Sequence, residues 1–280
     1  FTEAVDDLER STKFFVDLRE TVDEGAETKK EKAIRREISI QTGKVQMDYG
    51  KALYDFSEVF SGTKDKEEKG KREALLKQGL EVFEDIAETY RIFAIRYKAY
   101  RYMGLCHLKL GSYEKAEEFL KKALAVERSR ATEWIIRRAR LNLAQTYNEW
   151  GKKTPQKYEQ ADIAAAALTN EVYDRAMVTS DPALVDMLFA AWLEKGKAQV
   201  GHAQLLMNKA EKAGKKGQDV KKNQWQNQAW QEFRWAVDKA KEISGRPESR
   251  WARNAKMFLD EWLELSEEVF GKRIPVRKDI

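Results

Sequence analysis

YRYMGLCHLKLGSYEKAEEFLKKAL, residues 100–124, is the stretch on which the reading of the fold turns. Apolar and small residues recur in it at three- and four-residue spacings, first Tyr100, Met103, Gly104 and His107, then Tyr113, Ala116, Leu120 and Ala123. Such spacing places each set on one face of a helix. Gly111-Ser112 stands between the two sets and signals a turn. The stretch therefore predicts two helices folded back on one another. Gly104 and Ala116 are small where the helices must approach closely, and Tyr100 and Leu120 fill the space above and below them.

The second-helix pattern, small then bulky then small or apolar, returns elsewhere. It occurs at Gly79, Phe83 and Ile86, at Ala161, Ala165 and Leu168, and at Ala229, Phe233 and Ala236. First-helix partners are Tyr49, Gly50 and Leu53, then Leu143, Ala144 and Tyr147, then Trp192 and Gly196. These motifs resemble the tetratricopeptide repeat, as a divergent array over residues 44–244. The turns of its first and fourth units are stretched around Lys64–Lys71 and Gly214–Lys222, and Arg128 stands where the family's unit ends in Pro. The resemblance implies an all-α fold, an α-solenoid of about four helix pairs. Residues 1–43 hold an N-terminal helix and the start of a long second one, and residues 245–280 a capping helix and tail. A terminal unit must hide its apolar face from water, so the cap is expected to bury Trp251, Phe258 or Trp262.

Composition agrees with helix throughout. The chain has 280 residues with only four prolines, and its surplus of Ala, Glu, Lys, Leu and Arg loses little side-chain freedom in helices. Periodicity predicts ten helices, over 2–23, 31–60, 71–91, 94–110, 112–127, 131–151, 155–178, 182–213, 221–244 and 247–270. In the first, Val5, Leu8, Phe15, Leu18 and Val22 carry the pattern. The break near residue 92 has neither Gly nor Pro. Asp181-Pro182 and Thr154-Pro155 both read as an N-cap followed by Pro at the first helical position, where the missing N–H costs nothing.

Several functions are excluded or left without support. The longest apolar run, Met187–Leu193, is far shorter than the ~20 residues a membrane-spanning helix needs. Fifty-two basic residues against 47 acidic ones make a net charge of +5, thin for a nucleic-acid binder over this length. One cysteine excludes an internal disulfide framework. Cys106 and His107 are adjacent and so point about 100° apart on a helix, which prevents a nucleophile–base pair. His107 and His202 are expected to be packed rather than chemical, and neither has Glu three residues before it as a carboxylate-bridged di-metal bundle requires. No phosphate-cradling or dinucleotide loop occurs. Catalytic residues, metal ligands and cofactors are therefore assigned to none. The lysine-rich stretches Lys64–Lys77 and Lys209–Lys222 read as solvated turns, with Trp225 and Trp230 packing inward.

In arrays of this kind, the resemblance implies, first helices line a concave groove that receives a partner's peptide or helix. The helical wheel puts Lys44, Met47 and Lys51 there from the first unit, Lys98, Arg101, Leu105 and Lys109 from the second, and Arg138, Leu141, Asn142 and Gln145 from the third. A carboxylate clamp of the chaperone-adaptor type would need Asn where Leu105 stands. The expected function is a non-enzymatic scaffold or adaptor that docks protein partners, with an acidic segment bearing an apolar anchor as the fitting chemistry and self-association open. The alternative is a single-stranded RNA-binding array, which the uneven spacing of Gly79, Ala116, Ala161 and Ala229 disfavours. Compartment is left open, with Phe1 either a processed terminus or the edge of an excerpt.

Overall fold

The computed structural model describes residues 2–23, 28–90 and 93–275, without the side chains of Thr2, Val22, Asp23 and Phe93. Phe1, the Val22 side chain and the break near residue 92 lie outside that description. Among the described residues there is no strand, and ten α-helices follow one another, most of them packing on their sequence neighbours. They are α1 (Thr2–Asp23), α2 (Lys29–Ser57), α3 (Lys66–Thr89), α4 (Phe93–Lys109), α5 (Tyr113–Leu124), α6 (Glu133–Gly151), α7 (Lys157–Thr179), α8 (Pro182–Gly214), α9 (Asp219–Ser244) and α10 (Ala252–Phe270).

Several boundaries differ from the sequence expectation, each for a local reason. Lys66–Lys71 is helical because Asp65 Oδ1 caps α3, accepting from the N–H groups of Glu67 and Glu68 at 2.8 and 3.0 Å. The lysine-rich stretch 209–222 is also mostly helix, with α8 running to Gly214 and α9 starting at Asp219. Asp181 caps α8 as expected, accepting from Ala183 N–H at 2.9 Å. Thr154 does not cap α7, because the Lys157 and Tyr158 N–H groups donate to the carbonyls of Thr154 and Pro155 in a turn before the helix. Pro247 is likewise outside α10, which begins at Ala252 after a turn in which the Ser249 hydroxyl accepts from Trp251 N–H.

The chain divides into two compact units, Phe1–Ala139 and Arg140–Ile280. In the first, α2 and α3 run antiparallel and meet through small residues. A Cβ on Gly50 would lie 2.6 Å from the Phe83 ring, and one on Gly79 would lie 3.6 Å from the Gly50 carbonyl. Phe83 is fully buried there, a contribution of roughly 1.5–3 kcal/mol. Its ring stacks on Tyr102 of α4 at 5.2 Å. Then α4 and α5 repeat the arrangement, with a Gly104 Cβ 2.6 Å from Leu120 Cγ and 3.2 Å from the Ala116 carbonyl. The turn between them needs φ +73° at Gly111, which glycine adopts without strain. Helix α1 is tied down by polar contacts. Thr42 donates to the Phe15 carbonyl, and Arg19 donates to the Tyr90 hydroxyl, which in turn donates to Gln46.

In the second unit the same device recurs on a larger scale. The Tyr158 ring of α7 lies where a Cβ on Gly151 or Gly201 would come within 2.6 or 2.4 Å of it. The indole of Trp262 sits in the same way against Gly196, with Ala236 on the far side. Trp262 is buried, while Trp251 and Phe258 pack half-buried on the cores that α8 and α9 build. Trp225 and Trp230 pack half-buried on the same apolar cluster. The buried Asn148 amide donates to both the carbonyl and the carboxylate of Glu194, joining α6 to α8.

Gly104→Leu is expected to overpack the α4–α5 contact and cost about 1–3 kcal/mol, whereas Lys121→Ala on the exposed face should change stability by less than about 0.5 kcal/mol. Equal chemical-denaturation midpoints for the two variants would show that the contact is not close-packed.

Candidate docking groove

Within the first unit, α2, α4 and the start of α6 enclose a groove of about 560 Å³. Spacings of three, four and seven residues bring Lys44, Met47, Asp48 and Lys51 of α2 to its mouth on one face. From α4 come Ile95, Lys98, Arg101 and Tyr102, and from α6 Trp134, Ile135 and Arg138. Met47, Ile95 and Ile135 are buried and make an apolar floor. Lys44, Lys51 and Lys98 are exposed, and none has an ion-pair partner among the described residues. The two guanidiniums are held against rings. Arg101 lies 4.3 Å from the Tyr102 centroid and Arg138 lies 4.7 Å from that of Trp134. Asp48 is the one carboxylate among the described lining residues.

Six of the residues expected at a groove thus meet there: Lys44, Met47, Lys51, Lys98, Arg101 and Arg138. The others are placed differently. Leu105 is 7% exposed and so does not present an apolar anchor site at the surface. Lys109 turns away to the end of α2, where its Nζ lies 2.5 Å from Glu58 Oε2, beside Arg72. In the second unit Leu141 is 3% exposed and belongs to the core with Leu168, Val172 and Leu188. Asn142 is buried and donates to Gln145 at 2.9 Å. A wheel drawn for one helix pair treats the face opposite the partner as free, but a helix can have neighbours on more than one side, as α4 has in α2, α3 and α5. Sequence reasoning missed Asp48, Ile95, Tyr102, Trp134 and Ile135. The signal for Trp134 was its i,i+4 spacing to Arg138, at which a guanidinium reaches the ring.

Comparison with protein-family models, curated proteins and solved structures yields no match. The geometry of the chain itself is therefore what bears on function.

A larger cavity of about 790 Å³ lies in the second unit beside Tyr158, Gln204 and Asn208. Of its charged lining residues, Lys152 pairs with Glu149 and Glu211 with Lys215, while Lys222 makes no ion pair among the described residues. Cys106 is fully buried, and burial pushes its thiol up to about 12, which denies it thiolate character at neutral pH. His107 stacks on Phe119 at 5.4 Å. Among the described residues, no three His, Cys, Asp or Glu side chains gather so as to hold a metal ion, and no helix is long and apolar enough to cross a membrane.

The two histidines differ electrostatically. His202 lies near the middle of α8, with Nδ1 2.9 Å from Glu232 Oε2. That hydrogen bond raises its pKa above the usual 6.5, against the opposing effect of burial. His107 is lowered, first by burial and then by Lys115. A raised histidine stabilises the fold below its unfolded pKa, and that contribution is lost as pH rises through the folded value. A lowered one does the reverse, destabilising as pH falls through its folded value. Proton NMR should therefore show His202 titrating above the ordinary value and His107 below it. His202→Gln should abolish the upper titration and leave the lower one in place; coincident titrations of the two rings would contradict the placements.

Proposed function

We propose that this chain is a docking scaffold, a divergent α-solenoid of about four tetratricopeptide-like helix pairs that binds protein partners and carries no chemistry of its own. Its groove receives an acidic segment that brings an apolar anchor. The observation that carries this reading is the combination of three exposed lysines and two guanidiniums held against rings around an apolar floor. Charge would steer encounter and set register, while burial of the anchor on Met47, Ile95 and Ile135 would supply most of the affinity. The four pairs are α2–α3, α4–α5, α6–α7 and α8–α9, with α1 before them and α10 as the cap.

Single-stranded RNA is a poorer fit. Bases bind such grooves by stacking on open aromatic faces. Here Tyr102 is stacked on Phe83 and covered by Arg101, and Trp134 carries Arg138.

Fluorescence anisotropy with a short labelled peptide of Glu and Leu, against a uridine oligonucleotide of similar length, tests the reading. The peptide should bind more tightly, and Lys44→Glu with Lys98→Glu should weaken it by about tenfold or more while leaving helicity and melting unchanged. Affinity should fall with salt, but less steeply than for the oligonucleotide, since no dense counterion layer is released. Tighter oligonucleotide binding, or unchanged peptide binding by the double variant, would overturn the proposal.

A further inference from the structure

We propose that the occupant of the groove is the acidic face of α10 from a second copy of this chain; this rests on the docking role assigned to the groove above. One side of α10 is buried through Ala255, Trp262, Leu263 and Ser266. The opposite side exposes Asp260, Glu261, Glu264, Glu267 and Glu268, with Met257, 56% exposed, and Arg253 on the same face toward the start of the helix. At 100° per residue these seven side chains fall within one third of the helix circumference, and the five carboxylates outnumber the one guanidinium.

This face is built against its own electrostatics. Asp260 and Glu264, and Glu264 and Glu268, are like-charge pairs at i,i+4, which repel. The last turn holds no basic residue, so its carboxylates meet the negative end of the helix dipole. Other exposed helices answer their acids with a lysine one turn on: Glu67 with Lys71, Glu117 with Lys121, Glu118 with Lys122 and Glu211 with Lys215. None of the five α10 carboxylates has an ion-pair partner among the described residues. Lys272, just beyond the helix, has its Nζ 4.5 Å from the Trp230 centroid instead.

The groove offers what this face lacks. It presents Lys44, Lys51, Lys98, Arg101 and Arg138 against Asp48. From Lys44 to Lys51 the α2 rim extends about 10 Å, and from Asp260 to Glu268 the acidic row extends about 12 Å, at about 1.5 Å per residue. A helix is about 10–12 Å across, so α10 would lie over the mouth and send side chains inward. Met257, unbranched and adaptable, suits a floor of Met47, Ile95 and Ile135. Because the two patches differ, the contact is heterologous: a copy whose groove is filled still presents its own α10, and association continues past a pair unless the assembly closes into a ring.

Light scattering and sedimentation of the full chain test this. At low salt the mass should rise with concentration above the 32.5 kDa of one chain, and high salt should return it to that value. Lys44→Glu with Lys98→Glu, and separately Glu261→Lys with Glu264→Lys, should each weaken self-association by about tenfold or more with melting unchanged. Mixing the two variants should restore association, since the reversed charges are again complementary. A wild-type chain that keeps the one-chain mass at high concentration in low salt overturns the inference, as does undiminished association of the α10 variant. In either case, Glu–Leu peptide binding by the α10 variant, whose groove is intact, shows that the docking reading survives; lost peptide binding would sink both.

Discussion

Helix–helix approach through a glycine set against a large side chain is the constraint from which the rest of this architecture follows. It holds Gly50 on Phe83, Gly104 on Leu120, Gly196 on Trp262, and Gly151 and Gly201 on Tyr158. At each place a single added methyl group would fall inside 3 Å of the neighbouring side chain. Glycine within a helix costs up to ~1 kcal/mol relative to alanine, so its use there needs an offsetting gain. The gain is a ring or branched chain seated against the bare backbone of the next helix, with dispersion contacts along its full face. The groove inherits its shape from this packing. Phe83, seated against Gly50, stacks on Tyr102, and Tyr102 in turn carries the Arg101 guanidinium at the groove wall.

The same contacts explain how much was legible in the sequence. Small–large spacing in residues 100–124 identified the α4–α5 pair because close packing restricts residue size at a fixed helical period. Apolar periodicity led to ten helices, and ten are described; of the three cap residues expected to include a buried one, Trp262 is buried. Helix ends were read less well, since capping depends on which oxygen reaches which N–H: Asp65 caps α3, whereas Thr154, equally suited by type, lies in a turn. The groove was legible where it depends on one helix face, as for Lys44, Met47 and Lys51. It was not legible where a helix packs on several others, as α4 does around the buried Leu105, or where a side chain finds a partner far along the chain, as Lys109 does with Glu58.

Charge is distributed unevenly over this molecule, and the unevenness is what gives the groove a chemical character. A nearly balanced chain can satisfy its surface charges locally, and much of this one does, by i,i+3 and i,i+4 pairs each worth only a few tenths of a kcal/mol. Such pairs add little to stability, but they remove charges from contention for a partner. The residues left over then matter more than their number suggests. Lysines 44, 51 and 98 make no close ion-pair contact among the described residues and stand beside an apolar floor, although burial raises the pKa of Asp55 and Lys51 lies near enough to hold it down in part. The aromatic stacking of Arg101 and Arg138 adds pre-organisation: each guanidinium has lost part of its rotamer freedom before any ligand arrives, so less is lost on binding. On the proposed docking role, the exposed lysines would act at range during encounter, while the two guanidiniums held against rings would contribute less mobile positive charge beside the hydrophobic floor.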